Sequence, residues 1–439
     1  MGALLIDHGT VIDGTGAAPV PDTAVLIDGD EIIAVGADAV TAAPADAKRI
    51  DATGFTVMPG LIDSHCHATF DDVQSNDELF FHREPFRTTL LAAFNMPKFL
   101  MAGVTSIMDP DTAHGMGPAL RDAIEAGVVE GPRMATGVQA LLTSVGGTAG
   151  RLIPDDGQAG YAQVVNTRDE MVTWTRRHIK QGADWIKIHA TGSIPTRPGE
   201  LQVWSYEELK AVCDTAHELD VPVAAHCRNA SSTLESARAG VDLILHASFM
   251  DEPGLDAVVE AGAAICPTFT FLANLADYGP AVGAGVGMRD IFRGEIEATS
   301  AILRKAHELG VPLLCGSESG FALTPYGHWH AREMEVFVRD LDLTPLEAIT
   351  CATANNAMAM RLEGRLGTIE TGRLADVIVV DGDPSIDVTL LQDRSNLRHV
   401  ISRGRVVDLD RPWPSRERMA GEKVANWADE ILTWDRAQQ

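Results

Sequence analysis

The order of hydrophobic and polar positions divides the chain into a centre and two similar ends. Near the start, ALLIDHGTVIDGTG and AVLIDGDEIIAVG alternate short apolar runs with Gly and Asp turns, a pattern typical of small antiparallel sheets. GTIETGRLADVIVVDGD and LRHVISRGRVVD, near the other end, have the same character. Because chain ends often lie close together, these segments predict one small β-sandwich domain formed by both termini.

In the centre, strand-like apolar runs alternate with stretches of helical spacing. The run FTVMPGLID predicts an opening strand, and further strands are predicted at 103–109, 133–139, 184–190, 221–227, 242–248, 263–268 and 311–319. Between them, YEELKAVCDTAHELD and ATSAILRKAHELG carry apolar residues at helical spacing. Alternating strands and helices imply a parallel sheet, and eight repeats predict an α/β fold of the (β/α)8 TIM-barrel type.

These patterns predict the domain limits along the 439 residues. Residues 1–56 and 364–410 are assigned to the β-sandwich domain, and residues 57–363 to the barrel catalytic domain. Residues 411–439, rich in Trp and charge, are expected to form a C-terminal helix.

Charge and targeting signals narrow the possible partners. A formal charge of −27, from 35 basic and 62 acidic residues, disfavours nucleic acid and anionic membranes and favours a small-molecule substrate. No basic region precedes an apolar segment at the N-terminus, and no apolar run is long enough to span a bilayer, so a cytoplasmic location is expected. The six cysteines contain no CxxC and predict reduced, mostly buried thiols.

Polar residues collect at the predicted strand ends, where β/α barrels hold their active sites. The candidates are His65 and His67 after strand 1, Lys187 in strand 4, His226 and His246 ending strands 5 and 6, and Glu318 ending strand 8. The HxH pair by itself is a weak signal, although residues i and i+2 of an extended strand share one face. Together, imidazoles and a carboxylate around one cavity suit Zn²⁺, Mn²⁺ or related ions and can hold two of them.

Lys187 is the unusual member of this set. An ammonium would repel a metal, yet a lysine flanked by Ile186 and Ile188 and partly desolvated can lose its proton. A neutral lysine can capture CO₂ as a carbamate, whose two oxygens could bridge two metal ions.

Four further residues are candidates for supporting roles. Arg228, beside His226, is a plausible clamp for a substrate carboxylate or carbonyl, and Asp109 at the end of strand 2 is expected to face the pocket. His330, in the second HxH of YGHWHAREME, is expected to line the substrate pocket. His189 shares the face of Lys187, and either a role in orienting a ligand or a purely structural one fits it.

The motifs in order resemble those of the amidohydrolase superfamily over nearly the whole chain. They are VMPGLIDSHCH, GADWIKIHATGS, VPVAAHCRN, GVDLILHAS, LLCGSESG, TPLEAITCATANNA and GTIETGRLADVIVVDGD. The chain is most similar to the prolidase-like and imidazolonepropionase-like branch. The resemblance implies a binuclear centre of two divalent ions, Zn²⁺ first with Mn²⁺ or Co²⁺ as alternatives, and a homo-oligomer. His65, His67, His226, His246 and a carboxylated Lys187 would be its ligands.

One position departs from the superfamily pattern. Members usually carry an aspartate at the end of strand 8, whereas GSESG places Glu318 there. Glu318 is expected to be a metal neighbour and the catalytic proton shuttle, and its longer arm leaves direct coordination open.

The predicted reaction is hydrolysis of an amide-type C–N bond by a metal-bound hydroxide. Glu318 would take a proton from the nucleophile and pass it to the leaving nitrogen. Dipeptides, N-acyl amino acids, aryl ureas and carbamates fit as substrates.

Two alternatives to this function stay open. One is a mononuclear, imidazolonepropionase-like hydrolase or deaminase of a cyclic amide or amidine, and the other is a non-catalytic scaffold with the same fold. Lys187 distinguishes the binuclear hydrolase from the mononuclear alternative, because mononuclear branches generally do without a bridging lysine.

Overall fold

A computed structural model describes residues 2–75, 78, 84–147, 160–193, 199–284, 288–417 and 428–439. Among these residues, none of the helices is both long and apolar enough to cross a membrane. All six cysteines are buried and free, as the sequence predicts.

The two ends of the chain form one mixed eight-stranded sheet, which confirms the prediction that both termini build a single β structure. Its N-terminal strands are β1 (Leu4–Val11), β2 (Val20–Asp28), β3 (Glu31–Val35), β4 (Lys48–Asp51) and β5 (Phe55–Pro59). Its C-terminal strands are β17 (Val377–Asp381), β18 (Leu397–Ser402) and β19 (Arg405–Val406). The order is β19-β18-β17-β5-β1-β2-β3, with β4 paired to β1, so β5 and β17 join the two ends.

The predicted opening strand is divided at Gly60. β5 ends at Pro59 in the terminal sheet, and β6 (Leu61–Asp63) pairs with β7 (Val104–Asp109) in the central part. Gly60 allows this close crossing, because a Cβ there would lie 2.3 Å from the Thr105 hydroxyl oxygen. The structure therefore changes sheets a few residues later than the predicted limit at 56/57.

The central strands are parallel and alternate with helices. β6, β7 and β8 (Arg133–Thr136) form one sheet. The other contains β9 (Ala140–Leu142), β10 (Ala162–Val164), β11 (Ile186–His189), β14 (Val223–Cys227), β15 (Leu243–His246) and β16 (Ala264–Cys266). A separate antiparallel hairpin, β12 (Thr191–Ser193) and β13 (Glu200–Gln202), follows β11. The fold is that of a TIM-type barrel with a small β domain.

Apolar faces of the helices cover these strands, and together they form the largest hydrophobic cluster. The helices before β14 are α1 (Ala37–Ala42), α2 (Pro85–Leu100), α3 (Gly117–Glu125), α4 (Arg168–Gln181) and α5 (Tyr206–His217). Those after it are α6 (Ala230–Ala239), α7 (Glu252–Ala261), α8 (Phe269–Tyr278), α9 (Met288–Glu308), α10 (Arg332–Leu341), α11 (Pro345–Ala352) and α12 (Trp434–Ala437).

The predicted eighth strand is only partly formed. Residues 311–319 make isolated bridges, Leu313 to Ile265 and Ser319 to Cys66, in place of a continuous strand. The amide of Leu314 donates to the Ile265 carbonyl at 2.8 Å, so the segment still follows β16. The chain then leaves the extended conformation, because Glu318 has a φ of 55°, outside the β region.

The C-terminal segment differs from the predicted single helix over 411–439. Residues 411–417 are irregular, 418–427 lie outside the described residues, and α12 covers only Trp434–Ala437. Pro412 and Pro414 explain the first part, since proline lacks the amide hydrogen and disfavours helix in the residue before it.

Candidate active site

The predicted strand-end residues come together at the carboxyl ends of the parallel strands. His65 and His67 follow β6, Lys187 lies within β11, His226 and His246 lie at the ends of β14 and β15, and Glu318 lies near the end of the eighth segment, residues 311–319. The four histidines and the lysine are buried, and the Glu318 side chain is 17% exposed. Polar groups at this depth need partners, so their mutual contacts define the site.

Glu318 is the centre of the cluster. Its two carboxylate oxygens lie 3.5 Å from His65 Nδ1 and 3.6 Å from His67 Nε2. His246 Nδ1 is 3.9 Å from the same carboxylate, and Lys187 Nζ is 3.3 Å from His65 Nε2. Five of the six predicted ligands are therefore linked by contacts that run through His65 and Glu318.

His226 joins the cluster through its ring. Its ring stands edge-on to that of His246, with centroids 4.4 Å apart, and stacks on His189 at 4.7 Å. Its Nε2 lies 2.7 Å from Glu200, a residue of the β12–β13 hairpin. Burial opposes charge on Glu200, but His226 and Arg228 outweigh it and lower the pKa of that carboxyl to about 2.

Asp111 is a site residue that the sequence reasoning missed. One of its oxygens is 3.2 Å from His67 Nδ1, and the other is 3.2 Å from His189 Nε2. Asp111 is fully buried, and the cations Lys187 and His67 overcome that burial and hold its pKa well below the usual range. A second carboxylate just after Asp109, in the DPD run that ends β7, was the available signal.

The arrangement fits divalent metal ions. In the part of the chain that the structure describes, the buried atoms His65 Nδ1, His189 Nδ1 and His246 Nε2 make no hydrogen bond, and His67 Nδ1 and Asp111 Oδ1 have only their 3.2 Å ion pair with each other. Orphaned buried nitrogens and oxygens are costly, and a cation between them removes the cost. Two groups have ligand atoms close enough to share an ion: His65, His246 and Glu318 in one, and His65, His67 and Asp111 in the other.

The histidines fall into two electrostatic types. Burial, with Lys187 adding to it, holds the pKa of His65 well below its usual value, and burial does the same for His246. For His67, burial is outweighed by the carboxylates of Asp111 and Glu318, which raise its pKa to about 10. Neutral imidazoles are the form that binds metal ions, so His65 and His246 are already in that form.

Two of the predicted substrate contacts, His330 and Asp109, are bound to other groups of the protein. His330 lies between Asp63, 2.6 Å from its Nδ1, and the Gly327 amide, 2.8 Å from its Nε2, so neither ring nitrogen is free for a substrate. Asp109 is fully buried and accepts the amides of Ala68 and Asp111, so it braces the backbone around His67 rather than facing a pocket. In both cases tertiary contacts, invisible in the local sequence, decide the side chain's role.

Arg228 lies beside the cluster but is already paired. Its guanidinium is 2.7 Å from Glu295 and 3.9 Å from Glu200, and Ser248 donates to the same Glu295 oxygen at 2.6 Å. Glu295 lies in α9, and no sequence signal linked it to Arg228. His189, by contrast, has Asp111 as its partner, and its role in orienting a ligand stays a prediction.

Backbone strain accompanies the site. Besides Glu318, His246 and Thr268 adopt left-handed conformations, with φ of 69° and 52°. The Thr268 hydroxyl contacts His246 Nδ1 in a short hydrogen bond. Non-glycine residues are uncommon in this region and concentrate at functional sites, because surrounding contacts must hold them there.

The fold and the cluster define a class of protein with histidines and carboxylates gathered at the carboxyl ends of parallel strands, where β/α barrels hold their active sites. Residues 56–407 match the model of the amidohydrolase family, and the chain belongs to that family. Its members include enzymes that hydrolyse carbon–nitrogen bonds, and this chain is a hydrolase of that type.

Individual relatives cover almost the whole chain. Ochratoxinase from Aspergillus niger is 28% identical over 436 residues, which span 92% of this chain and 86% of that protein. Imidazolonepropionase from Streptomyces griseus is 25% identical, spanning 86% and 90%. Among solved structures, a Xaa-Pro dipeptidase with methionine bound in the active site has a TM-score of 0.80 at 28% identity, covering 92% of this chain and 100% of that one.

Proposed function

We propose that the protein is a binuclear amidohydrolase that uses two Zn²⁺ ions to hydrolyse the amide-type C–N bond of a small molecule. The observation that carries the proposal is the set of buried imidazole and carboxylate atoms without hydrogen bonds, divided between two candidate groups that share His65. The two groups offer two sets of ligand atoms, and this supports the proposal of two ions.

The proposed ligands are the residues already in contact. His65, His67 and Asp111 surround one position, and His65, His246 and Glu318 the other, with His226 adjacent to His246. When bound, such ions lower the pKa of coordinated water and polarise a carbonyl. The proposal keeps Mn²⁺ and Co²⁺ as ions that the same nitrogen and oxygen donors accept.

Lys187 is proposed to carry a carbamate. Lys187 is 1% exposed, and its Nζ lies 3.3 Å from Nε2 of His65, a proposed metal ligand. An ammonium at this position would repel a metal ion bound to His65. Addition of CO₂ to the neutral amine forms an N–C bond and releases one proton, which leaves an anionic carbamate with two oxygens in the same place. That exchange turns an unfavourable neighbour of a metal ion into a favourable one.

Glu318 is proposed to move the proton. It lies at the centre of the cluster, and its pKa is held well below the usual range because the surrounding histidines, among them His67 with its raised pKa, outweigh its burial. An ionised carboxylate can accept a proton from the attacking water and deliver it to the leaving nitrogen, which departs poorly unless protonated. Its 17% exposure leaves it open toward a substrate.

Arg228 bears on the choice of substrate. Because Glu295 and Glu200 already balance its charge, a carboxylate on the substrate is not required to neutralise it. Dipeptides, N-acyl amino acids, aryl ureas and carbamates therefore all remain in the proposed class. A matched pair, an N-acyl amino acid and its methyl ester, measures what the carboxylate contributes.

Metal stoichiometry is the first test. Protein grown with Zn²⁺ or Mn²⁺ and bicarbonate is expected to contain about two ions per chain by elemental analysis, and Lys187→Ala fewer. Lys98→Ala is the matched control. Lys98, in α2, is also buried, but it pairs with Asp72 and not with the site histidines. One ion per chain, unchanged in Lys187→Ala, would exclude the binuclear mechanism and favour the mononuclear alternative.

A further inference from the structure

The loop that follows the eighth segment carries a buried histidine that the proposed chemistry does not use. His330 Nε2 accepts the Gly327 amide hydrogen at 2.8 Å, so that nitrogen carries no proton. The proton must then be on Nδ1, which lies 2.6 Å from Asp63 Oδ2 and donates to it. The two side chains are only 2% and 1% exposed. His330 is therefore held in one tautomer, with its donor directed at Asp63.

Asp63 connects two segments that are far apart in sequence. Its Oδ1 accepts the backbone amides of His65 at 3.2 Å and of Ser317 at 3.0 Å. Its Oδ2 accepts the Ser317 hydroxyl as well as His330 Nδ1. All four donors are within the protein, and they satisfy the lone pairs of a buried carboxylate. Removing one donor therefore disturbs the whole arrangement.

The two segments are those that carry the centre of the site. Ser317 directly precedes Glu318, whose amide donates to the His65 carbonyl at 2.8 Å. The Ser64 amide donates to the Cys315 carbonyl at 3.0 Å. The 3.5 Å contact between His65 and Glu318 thus depends on the same backbone connection that Asp63 holds.

Tyr326, in the same loop, supports the opposite side of the HxH segment. Its hydroxyl donates to the His67 carbonyl and accepts the Asp71 amide at 2.9 Å. The loop therefore supports the backbone of both histidines, His67 directly and His65 through Asp63. This explains how the loop that carries the second HxH can support the first without providing ligands.

We propose that Asp63 and His330 are a positioning pair that sets the distance between His65 and Glu318. The inference rests on the proposed function only in taking those two residues as part of the reacting site. Without the pair, the two strand ends would lose their common acceptor. Displacements of about 1 Å in a catalytic group reduce rates roughly 100-fold.

Two substitutions of the same histidine separate positioning from packing. In His330→Asn, the side-chain amide nitrogen replaces Nδ1 and can still donate to Asp63. In His330→Gln, the longer amide reaches the position of Nε2 and no longer serves Asp63. His328→Gln is the matched control, because His328 lies two residues away in the same loop and instead accepts the Trp434 amide at 3.3 Å.

The expected result is a split between the variants. His330→Gln should lower kcat roughly 30- to 100-fold with KM changed less than about threefold, while His330→Asn and His328→Gln stay within about fivefold of wild type. Hydrogen exchange of the metal-loaded protein should rise in peptides covering 61–67 and 314–320 for His330→Gln only. Ser317→Ala, which removes one donor to Asp63, should raise the same exchange and lower kcat by a smaller factor.

Several outcomes decide the matter. Equal kcat and equal exchange in His330→Gln and His330→Asn would overturn the positioning role. If His330→Gln does not fold, Ser317→Ala with wild-type kcat and exchange would overturn it instead. A wild-type protein that hydrolyses none of the amide panel contradicts the proposed function, but the exchange comparison still tests the pair.

Discussion

Glu318 offers the most direct test of how the site works, through Glu318→Asp. The substitution inserts the residue that the superfamily usually carries, but it withdraws the carboxylate by one C–C bond, about 1.5 Å. Contacts now at 3.5 and 3.6 Å to His65 and His67 would lengthen to roughly 5 Å. The backbone does not follow, because the Glu318 amide is held by the His65 carbonyl and the Glu318 carbonyl by the Thr324 hydroxyl.

The expected loss has two parts of unequal size. In the protein without metal, His67 has its pKa raised to about 10 and is the charged partner of Glu318 at neutral pH, and in the loaded enzyme the cation bound at His67 would take that place. Lengthening that pair to about 5 Å weakens it by about 1 kcal/mol at an effective dielectric constant of about 20, a factor of roughly five. Misplacing the proton acceptor costs roughly 100-fold, so geometry dominates.

The assay is steady-state hydrolysis of the best substrate of the panel, with metal content measured on the same samples. Glu318→Asp should lower kcat about 100-fold, and Glu318→Gln, which cannot accept the proton, about 1000-fold. Stability should not fall in Glu318→Asp, because Asp adopts a positive φ more readily than Glu. Glu207→Asp, on an exposed position of α5, controls for the shortened side chain. A Glu318→Asp kcat within threefold of wild type would refute the reasoning.

Three further substitutions test separate features. Asp111→Asn should weaken metal binding roughly 10- to 100-fold, measured by chelator competition, because His67 loses its anionic partner. His178 is buried with its pKa lowered to about 4, so the unfolded state binds the proton first as pH falls from 6.5. The wild type should therefore lose about 3 kcal/mol of unfolding free energy between pH 6.5 and 4 relative to His178→Gln, measured by urea titration. Gly60→Ala should lower the unfolding free energy by about 1–3 kcal/mol, since its Cβ would overlap Thr105, and an unchanged urea midpoint would contradict the crossing at that residue.

Much of the fold could be predicted because hydrophobic periodicity reports burial locally. The strands 104–109, 186–189 and 223–227 and the helix 206–217 lie within the segments that their patterns predict. The eighth strand was overpredicted because its local composition is that of a strand. Glu318 nevertheless adopts a positive φ, a conformation that contacts from elsewhere in the chain hold.

The C-terminal segment shows the opposite limit. Its charge and tryptophan content suggested a helix. In the described residues, however, its tryptophan rings and its backbone contact the loop after the eighth segment. Trp329 Nε1 donates to the Leu432 carbonyl at 2.7 Å, and the Trp434 amide reaches His328. Such docking depends on a partner surface that no local pattern contains.

The sequence by itself determined the class of fold, the family resemblance, and the identity of residues that end strands, because those properties depend on composition and spacing along the chain. Tertiary structure alone decided which polar groups meet. It brought Asp111 and Glu200 to the histidines, paired Arg228 with Glu295, and turned His330 from a candidate substrate contact toward Asp63. The physical reason is range: hydrophobic burial is encoded every two to four residues, whereas a hydrogen bond between residues 63 and 330 exists only after the chain has folded.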